Sequence, residues 1–340
     1  MTDPRGLVVV GASAGGVEAL RAFAGGLPAG FEAGVCVVLH IPRRCASALA
    51  PILRRSGPLP AVQATDGMAI GRARIHVAPP NAHLLVNAGR LRLSHGPAEN
   101  GHRPAVDPLF RSAARWWGAE AIGVVLSGNR DDGAYGLAEI ARQGGTALVQ
   151  DPDEALYPSM PRHAAARAAR ARAVPAAGMG PALTGLLAGL PVASPRRPAA
   201  QVTLDPEEAM AAMEDVTTDE IGDAPPAGFG CPTCHGALFE LPGPGHRFRC
   251  RVGHAWSAAG LLDELGASLE GALWMALRSL EEKAALNHRM AESALGRGDG
   301  HSAERFGETA RDSQEAGRSI RRLIARFGAL EDGDRVDEPR

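Results

Sequence analysis

The chain has 340 residues and a formal net charge of −2, enough length for one sizeable α/β domain with something smaller beside it, and no surplus of basic side chains to suggest nucleic acid as a partner. A hydrophobic fraction of 45% with only 4% aromatic residues predicts a core of aliphatic side chains, and Met1 to Arg5 lead straight into a strand with no signal pattern and no apolar run long enough to cross a bilayer, so a cytoplasmic protein without membrane insertion is expected. Five cysteines, an odd number without an export signal, read as thiols or metal ligands rather than as a disulfide framework.

The first predicted element is a buried parallel strand, Leu7 to Val10, running into Gly11-Ala12-Ser13-Ala14-Gly15-Gly16 and then a helix. A short unbroken apolar run followed by an Ala/Leu/Glu-rich segment has that meaning, and it leaves Ser13 where the strand ends. Its hydroxyl would face the helix N-terminus, where unpaired N–H groups and the positive dipole end favour a developing oxyanion. Gly-x-Ser-x-Gly also fits a nucleophile elbow. Two other readings stand beside it: a serine that only caps the helix, or a dinucleotide-binding turn. The latter wants glycine at the position of Ser13 and an acidic residue after the next strand. That strand, Val35 to Leu39, ends instead in His40. His40 holds the same topological place as Ser13, so neighbouring strand ends can bring the two together. Cys36 reads as a small buried hydrophobe, and a helix is expected from Arg43-Arg44 through Arg54-Arg55.

Between Leu59 and Leu93 come short pieces expected at the sheet edge: a strand from Ala73 to Ala78, and a hairpin turning at Asn87-Ala88-Gly89-Arg90. His102, Arg103 and Asp107, in a loop before a helix through Trp116-Trp117, either line a pocket or face water. Ala121 to Leu126 then repeats the strand–turn–helix pattern with Ser127-Gly128-Asn129-Arg130-Asp131-Asp132-Gly133 as the turn. One of its aspartates caps the next helix, or accepts the ring N–H of His40 and fixes its tautomer. A strand from Thr146 to Val149, a loop from Asp151 to Pro161 and a helix from Arg162 to Arg172 follow, the helix with Arg167, Arg170 and Arg172 as a basic stripe. Three strand ends thus offer Ser, His and Asp. An α/β-hydrolase would place its acid before its histidine, but triads are recognised by geometry and not by order.

The stretches around Ser13, around Leu39-His40-Ile41-Pro42, His76-Val77-Ala78-Pro79-Pro80, His102-Arg103-Pro104-Ala105-Val106-Asp107, Leu126 to Ala134 and Ser159-Met160-Pro161-Arg162 together resemble the catalytic domain of the chemotaxis protein-glutamate methylesterase, CheB, over residues 6–190. The resemblance implies a doubly wound, Rossmann-like parallel sheet, with Ser13 as nucleophile, His40 as general base and Asp132 as the orienting acid. It implies hydrolysis of glutamate methyl esters on a chemoreceptor or related helical signalling protein, with deamidation of glutamine as a second activity and no cofactor for catalysis. Ala14, Gly15, Asn129 and Arg130 are the expected oxyanion and substrate positions. The family's turn usually reads Gly-Met-Gly-Asn-Asp-Gly. Arg130 stands at its second glycine, so if that glycine needs a positive φ the turn must differ locally. Asn129 replaces the methionine, and Ala14 stands where threonine is common. With the catalytic strand beginning at Leu7, no receiver domain is expected before it; activity is then constitutive, or governed by the C-terminal part or a separate regulatory protein.

Residues 191–228, rich in Pro, Ala and acids, read as a linker after a catalytic domain of 1–190, with one short helix around Pro206 to Glu214. Cys231-x2-Cys234, a gap of fifteen residues, then Cys250-x3-His254 is the spacing of two knuckles around one tetrahedral zinc, so a small zinc-ribbon-like module is expected over 229–256, with a structural zinc and with His235 and His246 as spare ligands. An α-helical hairpin is expected over 257–330, before a tail at 331–340. Its stripe is Leu261, Leu262, Leu265, Leu269, Leu273, Trp274, Leu277 and Leu280, partly answered by Arg318, Ile320, Leu323, Ile324 and Phe327. The rival to the hydrolase reading is a non-catalytic signalling scaffold whose working part is this cysteine-bearing helical module.

Overall fold

The computed structural model describes residues 4–190, 225–242 and 245–334, with side chains to residue 326. Seven parallel strands form the main sheet in the order β3 (Ala61–Gln63), β4 (Arg74–Val77), β2 (Gly34–Leu39), β1 (Leu7–Ala12), β7 (Ala121–Val125), β8 (Thr146–Gln150), β9 (Arg172–Val174). Every residue of β1, β2 and β7 is buried, as expected of central strands covered on both faces. Alternation along β1 sorts its side chains. Val8 and Val10 pack under α1 (Gly16–Gly26), α2 (Leu49–Ser56) and α6 (Met179–Gly189). Leu7 and Val9 pack under α3 (Val106–Trp117), α4 (Ala134–Arg142) and α5 (Ser159–Arg167). Each aliphatic side chain buried in this way contributes about 1.5–3 kcal/mol. The buried parallel strands expected from the apolar runs, and the doubly wound arrangement implied by the resemblance, are those observed.

Several boundaries differ from the sequence reading. The second helix starts at Leu49, not Arg43; a start at Arg43 would have put Pro51 in the helix interior, against the carbonyl four residues back. The fifth starts at Ser159 and ends at Arg167, because Pro161 is tolerated in a first turn and the chain reverses at Arg170, φ 63°. Arg172 opens β9, so the basic stripe of Arg167, Arg170 and Arg172 does not exist. The strand around Ile75 is not at the edge: β3 covers it. The hairpin, β5 (His83–Asn87) with β6 (Arg90–Ser94), forms a two-stranded sheet of its own, closed by Ala88 and Gly89 at φ 47° and 79°.

His76, on β4, is fully buried, and its Nε2 accepts the Gly71 N–H at 3.1 Å. Burial, then the nearby Arg74 charge, pulls its pKa down from 6.5 to about 4. The unfolded chain therefore binds this proton before the native one does, so the stability is fully present above pH 6.5 and falls as pH drops toward 4, by up to about 1.4 kcal/mol per unit. Urea denaturation between pH 7 and 5 is expected to show that slope, and His76→Gln to reduce it by the share of one histidine, the lowered His83 and His102 keeping theirs.

Beyond residue 224 a second, antiparallel sheet has the order β10 (Pro226–Gly230), β11 (Ala237–Glu240), β12 (Arg247–Cys250), β13 (Ala255–Ser257). Its core is Cys231, Leu238, Phe248, Cys250, Trp256 and Leu261. By contact density it belongs with the α/β domain in one compact unit that runs to Leu261, and residues 262–340 form a second unit. β10 begins inside the expected linker 191–228; the rest of that linker up to 224, with the expected helix at 206–214, lies outside the described residues.

The second unit consists of the remainder of α7 (Ala258–Gly296) and of α8 (Gly300–Asp334). They form the expected antiparallel hairpin: Leu277, Ala284, Ala294, Ala303 and Ala310 are buried, and Arg321 pairs with Glu281. The predicted leucine stripe is only partly covered. Leu262, Leu265, Leu269 and Trp274 are exposed, since the close contact runs along small residues nearer the turn. Phe327 has its side chain outside the described residues.

Candidate active site

β1 lies at the centre of the sheet, with β2 on one side and β7 on the other, and the chain reverses its winding direction there. Ala12 is in register with Leu39, and Gly11 with Val125. The residues just past those pairs, Ser13, His40 and the Ser127–Gly133 turn, therefore emerge side by side at the carboxyl ends of the strands, the position of ligand crevices in open α/β sheets. His40 Nδ1 is 3.0 Å from Ser13 Oγ, and His40 Nε2–H donates to Asp132 Oδ2 at 2.7 Å. The two ring nitrogens have exchanged the partners they have in a chymotrypsin-type triad, Nδ1 facing the serine and Nε2 the aspartate.

Asp132 is held from the other side by the N-terminus of α3. Val106 N–H donates to Oδ2 at 2.7 Å and Asp107 N–H to Oδ1 at 3.1 Å, so orphan donors of one helix are satisfied by a carboxylate from another element. Capping of α4 by either aspartate, the alternative reading of the sequence, is not seen; Gly133 occupies that place. Burial acts to raise the Asp132 pKa, but the hydrogen bonds and charge of His40 and the Val106 N–H outweigh it and take it from 3.8 to about 2. Asp107 moves the opposite way. Burial and then the Asp132 charge push it well above the carboxylate range, and its Oδ1 accepts the Gly136 N–H at 2.6 Å. The two neighbouring carboxyls are thus shifted in opposite directions, and the one facing the histidine is the one stabilised as its anion.

Four further contributors escaped the sequence reading in whole or part. The His102 ring lies flat on His40, with centroids 3.7 Å apart and planes at 9°, and burial followed by the His40 charge lowers its pKa to about 3. A neutral ring thus covers His40. Arg103 fastens the same loop through Asn81 Oδ1 at 2.7 Å and Gly96 O at 2.6 Å. Ser127 ties the two turns together: its O accepts Ser13 N–H at 2.9 Å and its Oγ donates to Ala14 O at 2.8 Å. A Cβ on Gly128 would fall 2.9 Å from Ser13 Cβ and against Met160 Sδ, so the close approach of the two turns requires glycine. The signals were present in Ser127-Gly128 and in Asn100-Gly101, a type I′ turn pair that presents His102, but both are decipherable only with the partner segment in view.

Of the expected oxyanion positions, Ala14 and Gly15 follow Ser13 directly and lead into α1, with Gly15 at φ 66°. Asn129 and Arg130 lie on the facing turn. That turn does not avoid the left-handed conformation as expected: Arg130 itself takes φ 68°, at a cost of order 1 kcal/mol for a residue with a Cβ.

Cys231, Cys234, Cys250 and His254 bring one ligand atom each to within 4.8 Å of one another. Cys234 Sγ and Cys250 Sγ are 3.6 Å apart, and Cys250 Sγ is 3.5 Å from His254 Nδ1. Tetrahedral ligands at a metal–sulfur distance of about 2.3 Å are separated by about 3.8 Å, so the cluster could hold a metal ion. The spare candidates do not join it: His235 is exposed at φ 60°, and His246 pairs with Glu240 at 2.6 Å.

A family model described as CheB methylesterase matches residues 8–183. Protein-glutamate methylesterase/protein-glutamine glutaminase 5 of Anaeromyxobacter dehalogenans (strain 2CP-C) is 40% identical over 181 residues, 52% of this chain and 50% of that protein. The similarly named protein 2 of Xanthomonas oryzae pv. oryzae (strain MAFF 311018) is 42% identical over 159 residues, 46% of this chain and 44% of that protein. The chain thus spans about half the length of the curated relatives it matches. The crystal structure of the Thermotoga maritima CheB methylesterase catalytic domain aligns with a TM-score of 0.51 at 28% identity, over 55% of this chain and 100% of that one. Among the described residues no helix is long and apolar enough to cross a membrane.

Proposed function

The chain belongs to the CheB methylesterase family, and from that premise we propose that it hydrolyses glutamate methyl esters on a chemoreceptor or related helical signalling protein. The observation that carries the reading is the Ser13–His40–Asp132 relay, at 3.0 Å and 2.7 Å, at the strand ends. Ser13 Oγ attacks the ester carbonyl as His40 Nδ1 takes its proton, and the C=O electrons move onto oxygen. His40 then returns the proton to the departing methoxide, releasing methanol and leaving an acyl-Ser13. Water, deprotonated by the same nitrogen, adds to the acyl carbon; Ser13 leaves and is reprotonated, freeing the glutamate. With an amide the leaving group is ammonia, which makes glutamine deamidation the natural second activity. The N–H groups of Ala14 and Gly15 are the assigned oxyanion donors, with Asn129 and Arg130 meeting the substrate from the facing turn.

The residues of the small module fit a structural zinc better than a catalytic one. Three thiolates and an imidazole close all four positions, leaving none for water. The reaction itself calls on no cofactor. None of the five cysteines is joined in a disulfide, which is in keeping with a cytoplasmic setting.

Methanol release from a methylated receptor fragment tests the proposal, with a fluorophosphonate titrating Ser13 in parallel. Release is expected, and one equivalent of probe is expected to stop it. Labelling without release would mean a competent nucleophile offered the wrong substrate; no labelling and no release would remove the hydrolase reading.

A further inference from the structure

The metal-binding module is not an appendage beside the catalytic domain: its edge is hydrogen-bonded into the wall of the crevice. Ala255 directly follows the ligand His254. Its O accepts the Asn100 N–H at 2.8 Å, and its N–H donates to Ala98 O at 3.3 Å. Ser257 N–H donates to Asn100 Oδ1 at 2.8 Å, and Ser257 Oγ–H donates to Asp131 Oδ1 at 2.7 Å; Asn100, Ser257 and Asp131 are all buried. A Cβ on Gly101 would lie 3.5 Å from the Trp256 ring. On α4, Tyr135 Oη–H donates to Gly245 O at 2.8 Å.

Those contacts meet the triad at two points. Asn100 and Gly101, at φ 49° and 78°, form the reversal that pairs Glu99 with His102 through two backbone hydrogen bonds of 3.2 and 2.8 Å, and His102 is the ring stacked on His40. Asp131 is the chain neighbour of Asp132. The module's own sheet is held by a small core and by short pairings, β11 with β12 over three residues. β12 and β13 pair over three residues, Arg247 with Ser257, Phe248 with Trp256 and Arg249 with Ala255, and their turn closes through Cys250 N–H to His254 O at 3.1 Å, between two of the metal ligands. A hairpin that short on so small a core does not persist without a staple.

We propose that the metal held by Cys231, Cys234, Cys250 and His254 is a structural component of the hydrolase site, fixing β13 against the Asn100–Gly101 turn so that His102 is held on His40. His102 and Asn100 are positioning residues in this scheme. The proposal rests on the reading of Ser13 and His40 as nucleophile and base, and its test separates the two.

The full-length chain, loaded with one equivalent of zinc and then stripped by a chelator, is followed by amide hydrogen exchange and by the rate at which a fluorophosphonate labels Ser13. Removing zinc is expected to deprotect the Asn100 and Ser257 amides together and to slow labelling by about tenfold to a hundredfold, both restored by adding zinc back. Asn100→Ala, which leaves every metal ligand in place, is expected to slow labelling with zinc still bound. Asn100→Asp, which keeps the acceptor for Ser257 N–H, is expected to restore it. Zinc loss with exchange around Asn100 unchanged would overturn the proposal, as would a chain that binds no zinc. If the loaded protein took up no probe, the nucleophile assignment alone would fall and the exchange result would still decide the clamp.

Discussion

Ser13→Ala and His40→Ala are each expected to lower turnover of a glutamate methyl ester by about 10⁶-fold, and Asp132→Asn by about 10⁴-fold, with all three proteins folded. The first two remove the attacking atom or its proton acceptor outright. Asparagine at 132 keeps the shape, and with its carbonyl oxygen in the place of Oδ1 it still accepts from Asp107 N–H, now at 3.1 Å, while its NH₂ takes the place of Oδ2, where Val106 N–H and His40 now donate at 2.7 Å. What it changes is the tautomer. An amide NH₂ turned toward His40 donates where the carboxylate accepted, so the ring proton moves to Nδ1, the nitrogen facing Ser13 Oγ at 3.0 Å, and the base is blocked. A companion effect appears in stability. The Asp132 pKa is held at about 2 against 3.8, so its contribution, about 2 kcal/mol, is present above pH 4 and is lost as pH falls through 2; the asparagine variant lacks it at neutral pH. Methanol release and urea denaturation at pH 7 check both. An Asp132→Asn rate within tenfold of the parent would mean that some other group sets the tautomer.

Arg111→Ala is expected to destabilise the protein by about 3–5 kcal/mol. Arg111 on α3 makes a two-pronged pair with Glu99, at 3.1 and 2.5 Å, with side-chain exposures of only 6% and 7%. Removing one partner strands the other charge in a site that water cannot reach. Replacing both, as Glu99→Leu with Arg111→Met, is expected to recover most of the loss, because the desolvation penalty leaves with the charges. Glu99 is also the residue that pairs with His102 across the Asn100–Gly101 reversal. The single variant should therefore label more slowly at Ser13 even where it is still folded, which a purely global loss of stability would not produce. A double-mutant cycle by urea denaturation, with labelling rates at low denaturant, measures both parts.

Much of the architecture around Ser13 and His40 could be read from local pattern. Unbroken apolar runs became the buried strands, glycine turns became the strand ends, and Ser13 and His40 stand where those runs stop. Boundaries failed where proline placement inside a helix was not weighed or where a distant segment had to be known. Proline positions moved the starts of α2 and α5, and the three-residue strands β3 and β9 carry too few residues for periodicity to register, although pairing with β4 and β8 makes them strands. The long helices behaved the same way. Their existence was plain from the spacing of leucines, but which leucines are covered depended on where α8 runs, and that left Leu262, Leu265, Leu269 and Trp274 exposed.

The sequence by itself determined the buried parallel strands, the serine, histidine and aspartates at their ends and the Cys-x2-Cys and Cys-x3-His spacing of the small module. Those depend on residue type and short-range spacing, which backbone sterics and burial translate directly into strand, turn and helix. The tertiary structure decided that Asp132 is held by the N-terminus of α3, that an arginine accepts a left-handed turn, and that the small cysteine-bearing module is hydrogen-bonded to the loop bearing His102. Each of those depends on register between segments far apart in the chain, where only packing selects among partners that local rules leave equivalent.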